Sequence, residues 1–382
     1  MVGLAPARSD RAARLAASPL RHLDPLLLGS VLAINVLGLL MVYSATRNGL
    51  IGGITDPLFY VKRQAVFVVI GLGVMAAAIL IDYRRMREWA PVIYGLTVLM
   101  LMAVLTPLGA STNGSQARFS LGPFALQPSE FAKFSVTLMV AAYCAQHRGD
   151  LDVRRLLVVL AIAAPPLGLV MLQPDLGTAL VIGAIILAVL AVAGVRARHL
   201  AVLALLGVTG AVVAVNVGVL KPYQVDRLTA FLDQNGDTRR TTYNLEQSKT
   251  AIGNGGLRGQ GLFHGSQTSL GHVPEQHTDF IFTAVGEELG FVGAGLLLAL
   301  FGIVVWRTWR TAAVSNDLFG TLLCVGVVAM LAFQIFENIG MTMGIMPITG
   351  IPLPFMSYGG SSAIVSFACI GLVANVSMRR FS

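Results

Sequence analysis

Ten runs of predominantly apolar residues, most of them close to 20 residues long, constrain this chain more than any other feature. The hydrocarbon core of a bilayer is about 30 Å thick, and an α-helix needs about 20 residues to cross it. Lipid cannot satisfy the hydrogen bonds of an open backbone, so we expect each run to be helical. The sequence therefore predicts an all-α integral membrane protein with about ten transmembrane helices. The runs cover approximately residues 25–45, 65–81, 90–108, 130–145, 155–172, 175–195, 200–220, 280–306, 318–338 and 355–376.

The composition excludes the main soluble alternatives. Hydrophobic residues make up 55% of the 382 residues and charged residues 12%, with a mean hydropathy of +0.74. A soluble fold of this length needs far more polar surface to cover its core. In a chain of this composition we attribute the net charge of +8 to contact with membrane lipids, and we expect no nucleic-acid partner. The three cysteines all lie in apolar runs and form neither a disulfide framework nor a zinc-binding pattern.

The distribution of Lys and Arg predicts the orientation in the membrane. Sixteen of the 27 lie in the two termini and in alternate connections, whereas five lie in the opposite short connections. The positive-inside rule then places both termini in the cytoplasm, with residues 1–24 as a cytoplasmic tail. The remaining six lie in the polar segment 221–279, which is long enough to escape the rule. We interpret the chain as one polytopic domain, 1–382, with 221–279 as a large extracytoplasmic loop.

Two polar motifs stand at the starts of predicted helices. In the segment 127–133, Glu130 and Lys133 are three residues apart and share a helix face. They form either a local ion pair or a site where the lysine meets an anionic lipid headgroup. Asp175 precedes the sixth run and is interpreted as a helix N-cap, with a structural ion pair to Lys133 as the alternative.

The glycine-rich segment 253–261 is not a nucleotide-binding loop. No Gly-Lys-Ser/Thr follows it, and Arg258 stands where the third glycine of a dinucleotide fingerprint would be. We interpret the segment as a site of close backbone packing or as a flexible loop near a bulky ligand.

Ionisable residues near membrane depth are candidates for function, because they are costly to bury there. His277 and Asp279 lie at the predicted water–lipid boundary, where a lipid-linked substrate would carry its polar head. From the residues alone, a helix cap formed by Thr278 or Asp279 is the better explanation. Glu287 and Glu288 follow two turns later, and we expect at least one to face the bundle interior, paired or protonated. The proline-rich segment 347–354 cannot form a regular helix and is predicted to be a loop.

Five segments together resemble the SEDS family of bacterial cell-wall proteins. They occur in the family's order and cover the chain from the first run to Ser362. The segment 349–354 and the context of Gln247 and Lys249 are more similar to the elongation branch than to the division branch. One departure lies at 115–119, where only Arg118 remains of two adjacent arginines. The five segments are 127–133, 173–180 (QPDLGTAL), 251–262 (AIGNGGLRGQGL), 274–290 (PEQHTDFIFTAVGEELG) and 347–362 (PITGIPLPFMSYGGSS).

The resemblance implies a peptidoglycan glycosyltransferase of the bacterial inner membrane that polymerises lipid II, a disaccharide-pentapeptide carried on undecaprenyl pyrophosphate. It also implies a class B penicillin-binding protein as partner. The family's catalytic aspartate matches Asp279, and its motif lysine matches Lys133. We expect Asp279 to deprotonate the acceptor hydroxyl for an inverting attack that forms a β-1,4 link. A helix N-terminus would lower the pKa of Asp279, and burial under the external loop would offset this.

Further residues are expected to bind the substrate. Lys133, Arg63 and Arg118 are external cations that could neutralise its diphosphate. The remaining candidates are Glu130, Asp175, Gln247, Lys249 and His277. The sequence requires no cofactor, although Mg²⁺ or Mn²⁺ could bridge the pyrophosphate.

Two other functions remain open. The chain could be a flippase that moves lipid II outward, since ten spans and interior carboxylates suit a transporter. A transporter should place polar groups along a whole pathway, whereas the motifs here cluster at the external face. A non-catalytic scaffold for a cell-wall synthase is the third reading, and it leaves Asp279 and Lys133 unexplained.

Overall fold

Every apolar run coincides with a helix in the computed structural model. The structure describes residues 23–48, 56–112, 115–122, 124–147, 149, 152–216, 224–225, 227, 231 and 241–380. In chain order the helices are α1 (Pro25–Thr46), α2 (Phe59–Leu80), α3 (Tyr83–Val104), α4 (Pro128–Gln146), α5 (Val153–Leu172), α6 (Leu176–Val192), α7 (Ala197–Asn216), α8 (Thr241–Gly255), α9 (Ser266–Leu270), α10 (Ile281–Ala313), α11 (Leu318–Met343) and α12 (Gly360–Met378).

Seven of the described helices are long and apolar enough to cross a membrane, and they confirm the helical multi-pass class. These seven are α1, α2, α3, α5, α10, α11 and α12. The helix α6 has only 17 residues, and α4 carries Glu130 and Lys133 in its first turns. A total of ten spans therefore stays a prediction.

Helices α11 and α12 form the centre of the bundle, and almost every residue of α12 is buried. Helix α12 packs along α2, where small residues allow a close approach. A Cβ atom on Gly371 would lie 2.7 Å from the carbonyl oxygen of Met75, so this contact requires glycine. The outer helices expose large apolar side chains such as Val69 and Leu80, as expected for a surface that faces lipid.

A small antiparallel sheet between α3 and α4 was not predicted. It consists of β1 (Ala110–Thr112), β2 (Ser115–Leu121) and β3 (Phe124–Leu126), in that order. Two of its strands have only three residues, too few for a clear alternation of apolar and polar positions in the sequence. The sheet places Arg118 on the central strand.

The predicted loop 221–279 is helical over much of its described part. Helix α8 packs on α10 and α11, and Ser248 donates a hydrogen bond of 2.6 Å to the carbonyl oxygen of Thr342. Residues 1–22 of the predicted tail, and residues 221–223, 226, 228–230 and 232–240 of the predicted loop, lie outside the described residues. An apolar cluster joins the loop to the bundle through Leu245, Ala251, Val273, Phe280, Met341 and Ile348.

A kink at Gly290, with φ of +65° and ψ of −164°, divides α10 into two helices. The glycine-rich segment satisfies the backbone groups that the kink leaves unpaired. The amides of Gln260 and Gly261 donate to the carbonyl oxygens of Glu287 and Glu288, at 2.9 and 3.0 Å. A Cβ atom on Gly259 would lie 2.1 Å from the Glu288 carbonyl oxygen. Close backbone packing is thus the confirmed interpretation of this segment.

The side chains of Glu287 and Glu288 face protein, as predicted, and most of their hydrogen-bond partners belong to the predicted loop 221–279. The carboxylate of Glu287 accepts hydrogen bonds from the amides of Gln267 and Thr268, at 2.7 and 2.9 Å. Glu288 accepts one from the amide of Phe263, at 3.0 Å. These two glutamates therefore anchor the loop to α10.

The topology predicts opposite labelling of two exposed positions. We expect a membrane-impermeant maleimide to label Glu246→Cys, on α8, in intact spheroplasts. Arg154→Cys, near the start of α5, should react only after lysis, because the positive-inside rule places it in the cytoplasm. The three native cysteines are at most 1% exposed and should contribute little background. The reverse labelling pattern would overturn the orientation.

Candidate functional site

Asp279 lies in a tight turn before α10 and does not cap that helix. The residue preceding α10 is Phe280, and no side chain caps the helix. The amides of Asp279 and Phe280 both donate to the carbonyl oxygen of Glu275, at 3.1 and 3.3 Å. Glu275 itself has a left-handed backbone with φ of +51°. The helix-cap interpretation of Asp279 is therefore wrong, and its carboxylate is available for other contacts.

The segment 347–354 forms one wall of the site. This segment is not helical, as predicted, and it brings Gly350 against Asp279. A Cβ atom on Gly350 would lie 3.1 Å from Oδ2 of Asp279 and 3.7 Å from Nη1 of Arg227. Arg227 also donates to the carbonyl oxygen of Thr349, at 3.4 Å. The carboxylate of Asp279 and the guanidinium of Arg227 therefore both lie beside Gly350.

Burial raises the pKa of Asp279 to about 6, and the negative charge of Glu275 adds to this rise. The positive charges of Arg227 and Arg118 oppose it, and the negative charge of Asp175 contributes a smaller increase. An aspartate with such a pKa is ionised at neutral pH and is a stronger base than an exposed one. The lowered pKa that a helix N-terminus would cause does not occur, because Asp279 is not at a cap.

His277 belongs to an aromatic cluster beside Asp279. Its ring lies 4.9 Å from that of Tyr60 and 5.6 Å from that of Tyr358, and the two tyrosine rings are 5.2 Å apart. The backbone amide of Tyr358 donates to the carbonyl oxygen of His277, at 2.9 Å. Burial lowers the pKa of His277, so the imidazole is neutral at pH 7. The cluster offers flat apolar faces next to a carboxylate.

Two of the three predicted cations reach this site. Arg63 stacks on the ring of Phe59 at 5.0 Å, and Arg118 is exposed on β2. Burial raises the pKa of Tyr358, and the positive charges of both arginines oppose that rise. The charge of Arg118 also opposes the rise in the pKa of Asp279. Arg227 is the third arginine of the site and was not among the predicted residues. Nothing in the sequence distinguishes Arg227 from the other cations of the segment 221–279.

Lys133 is buried instead of facing a lipid headgroup. Its Nζ lies 2.7 Å from Oε1 of Glu130, and the two residues are 1% and 4% exposed. Of the two interpretations of this pair, the structure therefore has the local ion pair. This geometry does not support a direct contact between Lys133 and the diphosphate of a substrate.

Asp175 is the N-cap of α6, as predicted. Its Oδ1 accepts a hydrogen bond of 2.9 Å from the amide of Thr178, and its Oδ2 accepts one of 3.0 Å from the hydroxyl of Ser129. The second bond ties the start of α4 to the start of α6. The alternative, in which Asp175 pairs with Lys133, is wrong because Lys133 pairs with Glu130.

Gln247 and Lys249 lie on α8, with Gln247 half-buried and Lys249 exposed. Lys249 reaches the C-terminal end of α11, where its Nζ would lie 2.9 Å from a Cβ atom on Gly344. A cation is favoured there by the helix dipole. A role of Gln247 and Lys249 in substrate binding stays a prediction.

The described residues contain no group of three or more His, Cys, Asp or Glu side chains that could hold a metal ion. Bridging of the substrate's own pyrophosphate by Mg²⁺ or Mn²⁺ does not depend on such a cluster. It therefore stays a prediction.

Comparison with known proteins gives similarity along nearly the whole chain. A family model described as "Cell cycle protein", which covers FtsW, RodA and SpoVE, matches residues 25–381. Stage V sporulation protein E of Bacillus subtilis is 36% identical over 93% of this chain and 96% of its own length. The peptidoglycan glycosyltransferase MrdB of Escherichia coli K12 is 37% identical over 94% of both chains.

Solved structures share the fold. RodA of Thermus thermophilus superimposes with a TM-score of 0.70 and 32% identity, covering 94% of this chain and 98% of that one. A chain from a peptidoglycan synthase complex that coordinates polymerisation and crosslinking superimposes with a TM-score of 0.79. Its sequence is 33% identical, and the match covers 94% of this chain and 99% of that chain.

Proposed function

The chain belongs to the FtsW, RodA and SpoVE family of cell cycle proteins, and on this basis we propose that it polymerises lipid II into β-1,4-linked glycan strands. The enzyme class is peptidoglycan glycosyltransferase, the class named for relatives that match more than nine-tenths of the chain. The resemblance of the segment 349–354 to the elongation branch supports a role in cell elongation and rod shape. The observation that carries this proposal is the partly buried carboxylate of Asp279, on which the positive charges of Arg227 and Arg118 act.

In the proposed reaction, Asp279 accepts the proton of the acceptor sugar hydroxyl as that oxygen attacks the anomeric carbon of the donor. The bond from this carbon to the pyrophosphate oxygen breaks, and undecaprenyl pyrophosphate leaves with the bonding electron pair. General-base catalysis of this kind contributes about 10²- to 10⁴-fold. A pKa of about 6 suits the task, because Asp279 is ionised at pH 7 yet more basic than a solvated aspartate.

The arginines Arg63, Arg118 and Arg227 provide the complementary charge. A pyrophosphate leaving group gains negative charge as its bond to the sugar breaks, and nearby guanidinium groups stabilise that charge. Arg118 is exposed on the sheet, and its positive charge lowers the pKa of both Asp279 and Tyr358. The same arginine is therefore near the carboxylate and near the aromatic cluster. The half-buried rings of Tyr60 and Tyr358 suit contact with sugar rings.

The proposal includes a location and a partner. A site for lipid-linked substrate at the external ends of helices fits an enzyme of the bacterial inner membrane whose two termini are cytoplasmic. A class B penicillin-binding protein is the proposed partner, because a glycan strand made here must be crosslinked outside the membrane. The similarity to a chain from a synthase complex supports this partner.

Purified protein in detergent, supplied with labelled lipid II, tests the function. We expect glycan polymer on a gel, with undecaprenyl pyrophosphate as the second product. Detergent removes the membrane across which a flippase would move its substrate, yet it permits polymerisation. Lipid II transport by reconstituted vesicles together with no polymer in detergent would contradict the proposal and favour the flippase.

A further inference from the structure

We propose that Asn338 is a positioning residue that fixes the Asp279 carboxylate for catalysis, a proposal that rests on the function proposed above. Asn338 lies on α11 and is fully buried. Its side-chain nitrogen donates to the backbone carbonyl oxygens of Asp279 and Ile351, at 2.8 Å each. One amide group therefore joins the turn that carries Asp279 to the wall formed by 347–354.

The residue type fits this task. The carbonyl groups of Asp279 and Ile351 lie in irregular segments, where no helical partner satisfies them. An asparagine side chain has two N–H donors on one nitrogen and can serve both carbonyls at once. Because both donors are used by the backbone, Asn338 acts on the reaction through Asp279.

Two further contacts hold Asp279 from other directions. Its amide donates to the carbonyl oxygen of Glu275, at 3.1 Å. Below its carboxylate lies Gly350, with φ of +76°, where a Cβ atom would approach Oδ2 to 3.1 Å. The amide and the carbonyl of Asp279 are thus both bonded, which fixes its backbone, and the missing side chain of Gly350 leaves room for its carboxylate. Misplacement of a catalytic group by about 1 Å can cost on the order of 10²-fold in rate.

The variant Asn338→Leu tests the proposal, because it removes both donors and keeps the branching and the number of heavy atoms of the side chain. We expect kcat for lipid II polymerisation to fall on the order of 10- to 100-fold, with KM within about two-fold of wild type. The matched control is Gln334→Leu, one turn earlier on α11 and also buried. The control should retain kcat within about two-fold. A folded Asn338→Leu protein with unchanged kcat, or with its loss entirely in KM, would overturn the proposal.

Gly350→Ala displaces the carboxylate from the opposite side and leaves Asn338 in place. It should lower kcat in the same way, and in the double variant the two losses should be less than additive in free energy. This variant decides the matter if Asn338→Leu does not fold, and an unchanged kcat would then overturn the proposal.

Carbodiimide modification of Asp279, measured by mass spectrometry, tests the positioning role without depending on catalytic activity. It should be faster in Asn338→Leu and in Gly350→Ala than in wild type, relative to the exposed Glu246. Equal modification rates would overturn the positioning role. If wild-type protein made no polymer, the proposed function would fail, and this labelling would still decide the role of Asn338.

Discussion

Asp279→Asn is expected to abolish glycan polymerisation while the protein remains folded and inserted. The substitution keeps the size of the side chain and both backbone contacts of residue 279, to Glu275 and Asn338. It removes the negative charge and the ability to accept a proton. Turnover should therefore fall on the order of 10²-fold at least. The measurement is polymer formed from labelled lipid II by matched preparations, alongside their thermal unfolding.

The pH profile and a neighbouring carboxylate provide the controls for this variant. Activity of the wild type should decline as the pH falls below about 6, because protonated Asp279 cannot act as a base. In Glu275→Gln the loss of a negative charge lowers the pKa of Asp279, so this decline should shift to lower pH. That variant should keep most of its activity at neutral pH. A folded Asp279→Asn protein that polymerises at near wild-type rate would refute the assignment.

Lys133→Ala is expected to destabilise the protein strongly, by about 3–5 kcal/mol in the free energy of unfolding, because it leaves the buried Glu130 carboxylate without its partner. Both residues of the pair are less than 5% exposed, and their charged atoms are 2.7 Å apart. The loss of activity should follow the loss of folded protein. Denaturant titration in detergent, combined with polymerisation per folded molecule, measures both effects.

The double variant Glu130→Gln/Lys133→Met separates the ion pair from a role in substrate binding. It removes both charges, so no unpaired charge remains buried, and most of the stability lost in Lys133→Ala should return. Polymerisation per folded molecule should then be close to wild type. If Lys133→Ala were as stable as wild type but inactive, Lys133 would act on the substrate, as the resemblance implies.

The sequence by itself determined the features that depend on local residue patterns. Apolar length predicted the membrane helices, because the cost of placing polar backbone in lipid depends on composition alone. Asp175 was identified as an N-cap because capping involves a residue and the next turn of its own helix. The same holds for Glu130 and Lys133, whose spacing places them side by side. Close packing at 253–261 followed from the absence of side chains on its glycines.

Only the tertiary structure decided how these elements face one another. A membrane helix is apolar on all sides, so its sequence does not reveal which face turns inward, and the burial of Lys133 could not be read from its spacing. The tight turn at Glu275 takes Asp279 out of the cap position before α10, and no local pattern in the sequence predicts that turn. Asn338 and Arg227 are 59 and 52 residues from Asp279 along the chain. Their contacts depend on packing across several elements, which no local pattern specifies.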